Sequence, residues 1–308
     1  MQSPFLTDML EGLNKTPKVL NSMYFYDKIG DTIFQEIMNM DAYYLPKVEL
    51  EIIQNQTAEI ANRLSSEELD IIELGAGDGV KTVAFLKNMI AAGKKVNYVP
   101  LDISPDVLEI NKTNILSQIP ELSIEPIAGD YFKTMAILKE RKKPKLILFL
   151  GSNIGNFKGQ RGTDFLKLVK SHMTSEDHLL LGADLKKDPK TVLRAYNDPE
   201  GITARFNLNL LSRMNRELKA NFDIKKFEHY PYYDPISGSC YSYLVSLENQ
   251  SVEIADQTIL FSKNECIHTE VSQKYSLNDL QELCESAGFE KFQTFLDQKQ
   301  WFCLALTQ

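Results

Sequence analysis

The chain is poor in cysteine: Cys240, Cys266, Cys284 and Cys303 are scattered along 308 residues and include no C-x-x-C pair. That usage excludes a disulfide framework and a zinc ribbon, and it fits reduced thiols. The four histidines, His172, His178, His229 and His268, also lack metal-ligand spacing, so no metal is expected. No window approaches the ~20 uninterrupted apolar residues of a membrane helix. The first residues, MQSPFLTDMLEGLNK, hold no basic stretch followed by an apolar one, so no signal peptide is read. Positive charge is short as well: 34 Lys and Arg face 42 Asp and Glu, a net charge of -8. A chain of that sign repels polyphosphate. Its densest basic pieces, KERKKPK (139–145) and Lys186-Lys187, carry no interleaved aromatics, so nucleic acid is disfavoured and a small-molecule substrate favoured. A cytoplasmic monomer is expected.

What is present is a core-forming composition, 43% hydrophobic and 25% charged, long enough for about two domains. Residues 1–45 read as helical and aromatic, with Phe34, Ile37 and Met38 at helical spacing between MYFYD and DAYYLP. A helix opened by Pro46 runs to Leu64. From Asp70 short apolar runs, DIIELG, NYVPLD, LSIEPIAGD, KLILFLGS and LLLGADL, alternate with helical stretches at Val80–Ala91, Pro105–Gln118 and Phe165–His172. Strands apolar on both faces and separated by helices predict a parallel, doubly wound α/β sheet of Rossmann-like type. The alternation stops after Leu185. A helical stretch from Pro189 to Leu218 follows, then strand-like segments near 225–230, 239–248, 252–262 and 266–273, with turns at Asp234-Pro235 and Ser237-Gly238. Ser276 caps a helix Leu277–Ser286 that stops at Gly288, and FEKFQTFLD and WFCLALTQ read as closing strands that rejoin the sheet. The expected domains are 50–190 plus 276–308 for a cofactor, and 1–49 plus 191–275, an α+β insertion, for a substrate.

The sharpest local signal is Glu73-Leu74-Gly75-Ala76-Gly77-Asp78-Gly79, between the first sheet strand and a helix. Glycines there let the backbone turn tightly and approach a ligand at the carboxyl end of the sheet. A dinucleotide would place its pyrophosphate at the helix start, but Asp78 occupies that place and the spacing is not G-x-G-x-x-G. S-adenosylmethionine (SAM), a zwitterion with a sulfonium, tolerates an acidic neighbour. Asp102 ends the second strand, where a carboxylate can bind both ribose hydroxyls. Asp130-Tyr131 follows the third, suited to the adenine amino group and ring. Lys81 lies near the helix start and can pair with the cofactor carboxylate. Taken singly, a tight turn, loop acids and a solvated lysine explain these residues equally well; together they favour the cofactor.

Beyond this loop, longer blocks match nearly end to end: YFYDKIGDTIFQEI, DAYYLPKVE, IIELGAGDGVKT, PLDIS, GDYF, FLGSNIGNF, LLLGADLKKD, RAYNDPEGITARFNLNLLSRMNREL, FEHY and HTEVSQKY. On these the chain resembles the histidine-specific Nα-methyltransferase family that makes histidine betaine (hercynine) for ergothioneine biosynthesis. The resemblance implies a Rossmann-like SAM domain with an inserted amino-acid-binding domain. It implies Gly75, Lys81, Asp102, Asp130 and Tyr131 as cofactor residues. For the substrate it implies Asn156 of SNIGN at the α-amino or carboxylate group, with Tyr196 and Tyr43. Tyr26 would lie near the reacting amine, where it or a water it orders is the candidate to assist proton loss. Glu270 and Ser272 would hydrogen-bond the imidazole. An amide both donates and accepts, which suits the two ends of an amino acid; a carboxylate and a hydroxyl left unpaired would reject an apolar ring. Where the family has a methionine beside the imidazole, in the strand aligned with GSCYSYLVS, this chain offers Ser242. That departure keeps a different aromatic amino acid, tryptophan or tyrosine, open; a non-catalytic binding homologue that keeps the fold is a separate alternative.

Overall fold

The computed structural model describes residues 3–308, apart from the side chains of Tyr131 and Lys133. The chain divides into two units, 1–43 with 187–272 and 44–186 with 273–308. The division expected at residue 49 falls at 43/44, because Leu45–Arg63 is one continuous helix with Pro46 in its first turn.

The unit of residues 44–186 and 273–308 is built on an eight-stranded sheet. Glu68–Leu74, the first strand of this sheet along the chain, pairs in parallel with Lys95–Asp102 on one side and with Lys145–Phe149 on the other. His178–Asp184 continues the parallel set beside Lys145–Phe149. Phe302–Thr307 then joins antiparallel, followed at the edge by Phe292–Leu296. These are the two closing strands the tail predicts. The connections reverse direction at Glu68–Leu74, and at such a switch point the loops at the carboxyl ends of neighbouring strands part to leave a crevice. The central strands are buried on both faces, as a parallel sheet covered by helices requires. One apolar core runs through Ile72, Leu74, Val99, Phe149, Phe165, Leu181, Leu280 and Ala305. Val80–Ala91, Pro105–Gln118 and Leu277–Ser286 fall where the sequence places them. The last begins with Ser276 and Asp279 capping one another's backbone N–H groups. The third expected strand is different. LSIEPIAGD forms only the two-residue pieces Ser123–Ile124 and Ile127–Ala128 beside Lys95–Asp102, because Pro126 lacks the N–H a continuous ladder needs.

The unit of residues 1–43 and 187–272 has its own core, in which Phe25, Ile37, Phe206, Leu210, Met214, Leu244 and Ile267 are buried. Its four-stranded sheet runs Lys18–Val19, Cys266–Gln273, Ser239–Ser246, Phe227–Asp234. A separate hairpin pairs Gln250–Ile254 with Gln257–Phe261. The segment near 252–262, expected as one strand, is thus interrupted by a turn through Ala255 and Asp256, with Ala255 in the left-handed region (φ 49°). The helical stretch Pro189–Leu218 is likewise two helices, Pro189–Tyr196 and Ile202–Leu218. Pro199 and Gly201 separate them, and Asp198 caps the second by accepting from Ile202 N (2.7 Å) and Thr203 N (2.8 Å). Capping satisfies donors that a helix start leaves open.

Candidate active site

In the eight-stranded unit the glycine loop is held by its neighbours. Gly75, Gly77 and Gly79 all have positive φ, 74°, 55° and 75°, a conformation that costs other residues a Cβ clash. Gly75 N and Ala76 N donate to Leu101 O. From helix Pro105–Gln118, Asn111 Nδ2 donates to Gly77 O (3.0 Å) and Asn114 Nδ2 to Asp78 O (2.9 Å). Beneath the loop Glu73 is buried, accepting from Tyr98 Oη (2.6 Å) and Thr82 Oγ1 (2.8 Å). Burial raises the Glu73 pKa to about 7, against the lowering effect of these donors.

Asp102 closes the loop on its other side. Its Oδ2 accepts from Gly77 N and its Oδ1 from Ser104 N, each at 3.0 Å. Burial pushes its pKa above the ordinary carboxylate value, while the backbone donors pull it back. A Cβ added at Gly77 would meet nothing within 4 Å, so there is open space over the loop beside a carboxylate that retains acceptor capacity for hydroxyls. That fits a ribose-bearing cofactor. Asp130 caps the short helix Tyr131–Thr134, accepting from Phe132 N (2.9 Å). The Tyr131 side chain, expected against adenine, lies outside the described residues. Lys81 is only partly exposed and its ammonium is paired with the buried Glu49. Asn156 ends the 3-10 turn Asn153–Asn156, and its side-chain amide makes no hydrogen bond among the described residues. The turn is anchored by Ser152 in the left-handed region (φ 59°), whose Oγ accepts from Asp184 N (3.0 Å).

Two buried acids that the sequence reading assigned no role lie in this unit's polar interior. Asp184 is fully buried, paired with the equally buried Lys274 at 2.8 Å and accepting from Tyr44 Oη at 2.8 Å. Glu49 is the other. Single positions in apolar blocks give no sign of such pairings; the only signal was an acid or a lysine inside an otherwise buried run.

In the other unit the structure brings Tyr196 and Ser272 together: Tyr196 Oη donates to Ser272 Oγ at 3.0 Å, both buried. Tyr43 packs edge-on to Tyr196, ring centroids 6.3 Å apart. Tyr26 lies edge-on to Phe34 (5.4 Å) and Phe206 (5.7 Å). Glu270 is half-buried on the same strand as Ser272. Ser242 is buried with its Oγ 3.3 Å from His229 Nε2, and its carbonyl accepts from Thr269 Oγ1. Burial lowers the His229 pKa to about 4, outweighing the opposing pull of Asp198. The serine standing in the methionine-bearing strand is therefore an interior partner of a neutral histidine. Among the described residues no group of His, Cys, Asp and Glu could hold a metal ion, and no helix is long and apolar enough to cross a membrane.

A parallel sheet with a switch-point glycine loop and a strand-end acid defines the Rossmann-like class of nucleoside-cofactor enzymes. Residues 5–308 match the family model described as histidine-specific methyltransferase, SAM-dependent. The chain belongs to that family and is a SAM-dependent methyltransferase. It is 34% identical over 301 residues to a histidine N-alpha-methyltransferase of Mycobacterium tuberculosis, covering 97% of this chain and 93% of that one. It is 32% identical, with the same coverage, to a histidine N-alpha-methyltransferase of Mycolicibacterium smegmatis. An N-methyltransferase of Aspergillus flavus is 28% identical over 98% of this chain and 84% of its own length.

Proposed function

We propose that the chain methylates the α-amino group of free L-histidine three times, giving trimethylhistidine (hercynine), as a cytoplasmic monomer. The sheet unit is the cofactor domain, with Gly75, Lys81, Asp102, Asp130 and Tyr131 holding SAM. When bound, SAM would supply an electrophilic methyl group on its sulfonium. In the other unit, the amino-acid domain, Tyr43 and Tyr196 hold the substrate backbone; Asn156 is the candidate for the amino or carboxylate group. Glu270 accepts from one imidazole nitrogen and Ser272, oriented by Tyr196 Oη, adapts to the other. Tyr26, or a water it orders, assists loss of the amine proton to solvent; the amine pKa of roughly 8 makes that loss near neutral pH a modest cost, so no strong base is needed. Tyrosine faces attract the permanently cationic product.

The observation that supports this reading most is the pairing of an open glycine-built loop with Asp102, in a chain of a histidine-specific family. The test is a panel of free amino acids incubated with SAM and read by mass spectrometry. Histidine is expected to gain one, two and three methyl groups, and E270A to lower kcat/KM for histidine by about a hundredfold, as loss of a charged hydrogen bond predicts. A panel in which histidine gains no methyl group would sink the reading.

A further inference from the structure

Glu49 lies in the second turn of helix Leu45–Arg63 and is fully buried. A carboxylate in that position costs several kcal/mol unless both its oxygens are satisfied. Here they are, by different elements. Oε2 pairs with the Lys81 ammonium at the start of helix Val80–Ala91. Oε1 accepts from Gly151 N at 2.7 Å, in the turn that leads to Asn156.

The surrounding backbone is shaped around this carboxylate. At Gly182, in the middle of strand His178–Asp184, an added Cβ would lie 2.7 Å from Glu49 Oε1 and 3.1 Å from Leu150 Cα, so the carboxylate or its surroundings would have to shift. Glycine inside a strand marks such a close approach. Gly151 has φ 71°, and a Cβ there would stand 3.8 Å from Lys81 Nζ. Two helices, a turn and a strand thus meet on one side chain. Lys81 itself keeps 20% of its side chain exposed, and an ammonium has three donors, so the pairing with Glu49 leaves donors for a second partner.

We propose that Glu49 is a positioning residue that aims the Lys81 ammonium at the α-carboxylate of the cofactor and ties that lysine to the Gly151–Asn156 turn. The proposal rests on the reading of Lys81 as the carboxylate partner. A free lysine side chain loses rotamer freedom when a ligand immobilises it; Glu49 removes that cost in advance. Since Glu49 reaches the cofactor through Lys81, its effect on binding is expected to be confined to ligands that carry the carboxylate.

The experiment measures, by calorimetry, binding of S-adenosylhomocysteine, which has the α-carboxylate, and of 5′-methylthioadenosine, which lacks it. E49Q keeps an acceptor for Gly151 N and removes the charge. It is expected to weaken adenosylhomocysteine about tenfold and methylthioadenosine less than about twofold. Adding E49Q to K81M should cost nothing further. If E49Q weakens both ligands equally, Glu49 is only a structural tie and the proposal falls; it also falls if adenosylhomocysteine is unaffected or binds more tightly, since Glu49 would then merely compete for the lysine. If K81M itself leaves the ratio of the two affinities unchanged, the reading of Lys81 is what fails, and the proposal with it. Should E49Q not fold, E49D, which keeps the charge but shortens its reach, decides the question by the same ratio.

Discussion

The two units bury polarity in opposite ways. In the sheet unit the buried polar groups are largely charged: Glu49 with Lys81, Asp177 with Lys145 at 2.9 Å, and Asp184 with Lys274. In the other unit the interior is aromatic, and most of its buried polar contacts are neutral, among them Asn207 with Thr269, Tyr196 with Ser272, and His229 with Ser242. Asp198, which caps a helix, is the buried acid there. A buried ion pair fixes geometry at the expense of a desolvation penalty, which suits loops that must hold one cofactor in one pose. Neutral hydroxyls and amides donate or accept as needed, which suits a pocket reading a polar ring.

The largest effect that tests this contrast is at Lys274. Replacing it by Met takes the Lys274 cation away from the buried Asp184 carboxylate, and K274M is expected to cost the sheet unit about 3–5 kcal/mol in urea unfolding. Adding D184N should recover part of that, because the amide oxygen still accepts from Tyr44. A K274M protein as stable as the parent would mean that the buried pairs in this unit do not organise it.

A smaller effect separates the units by pH. The folded His229 ring stays neutral down to about 4, while the unfolded ring takes up a proton near 6.5. Its depressed pKa therefore leaves stability intact above 6.5 and lowers it as pH falls towards 4, by about 3 kcal/mol in full. Glu73 in the sheet unit has the opposite sign: its pKa, raised from 4.5 to about 7, favours the fold below 4.5 and loses that contribution as pH rises through 7. Urea titrations at pH 7 and 4.5 should show H229Q losing about 2–3 kcal/mol less than the parent on acidification. Equal losses would show that the ring is not held neutral.

The smallest effect is expected at Tyr196. Y196F removes one neutral hydrogen bond to Ser272, worth about 1 kcal/mol, and should raise KM for histidine several-fold with little change in cofactor affinity. If cofactor affinity shifts equally, the neutral network does not belong to substrate recognition alone.

Much of the sheet unit was legible in the chain itself. Apolar runs of strand length alternating with helical ones leave few topologies open, and Ser276, Gly288 and Pro105 punctuate helices by local chemistry alone. Local rules failed where one residue interrupts a run: Pro126 in the third strand, Pro199 and Gly201 in the long helical stretch, and the turn at Ala255. Each was visible as a residue type, yet its effect depended on which hydrogen-bond ladder it entered.

The site divides along the same line. The glycine loop, Asp102 and the residue blocks of the family are contiguous, so the chemistry they carry can be read along the chain. Glu49 against Lys81 and Gly151, and Lys274 against Asp184, join residues 32 to 102 positions apart, and no local spacing announces them. The amino-acid order determined the alternating sheet, the caps and the cofactor loop, because these follow from interactions within a few residues. Only the tertiary structure decided which buried charges meet, because burial turns a weak solvated contact into a pairing the fold cannot do without.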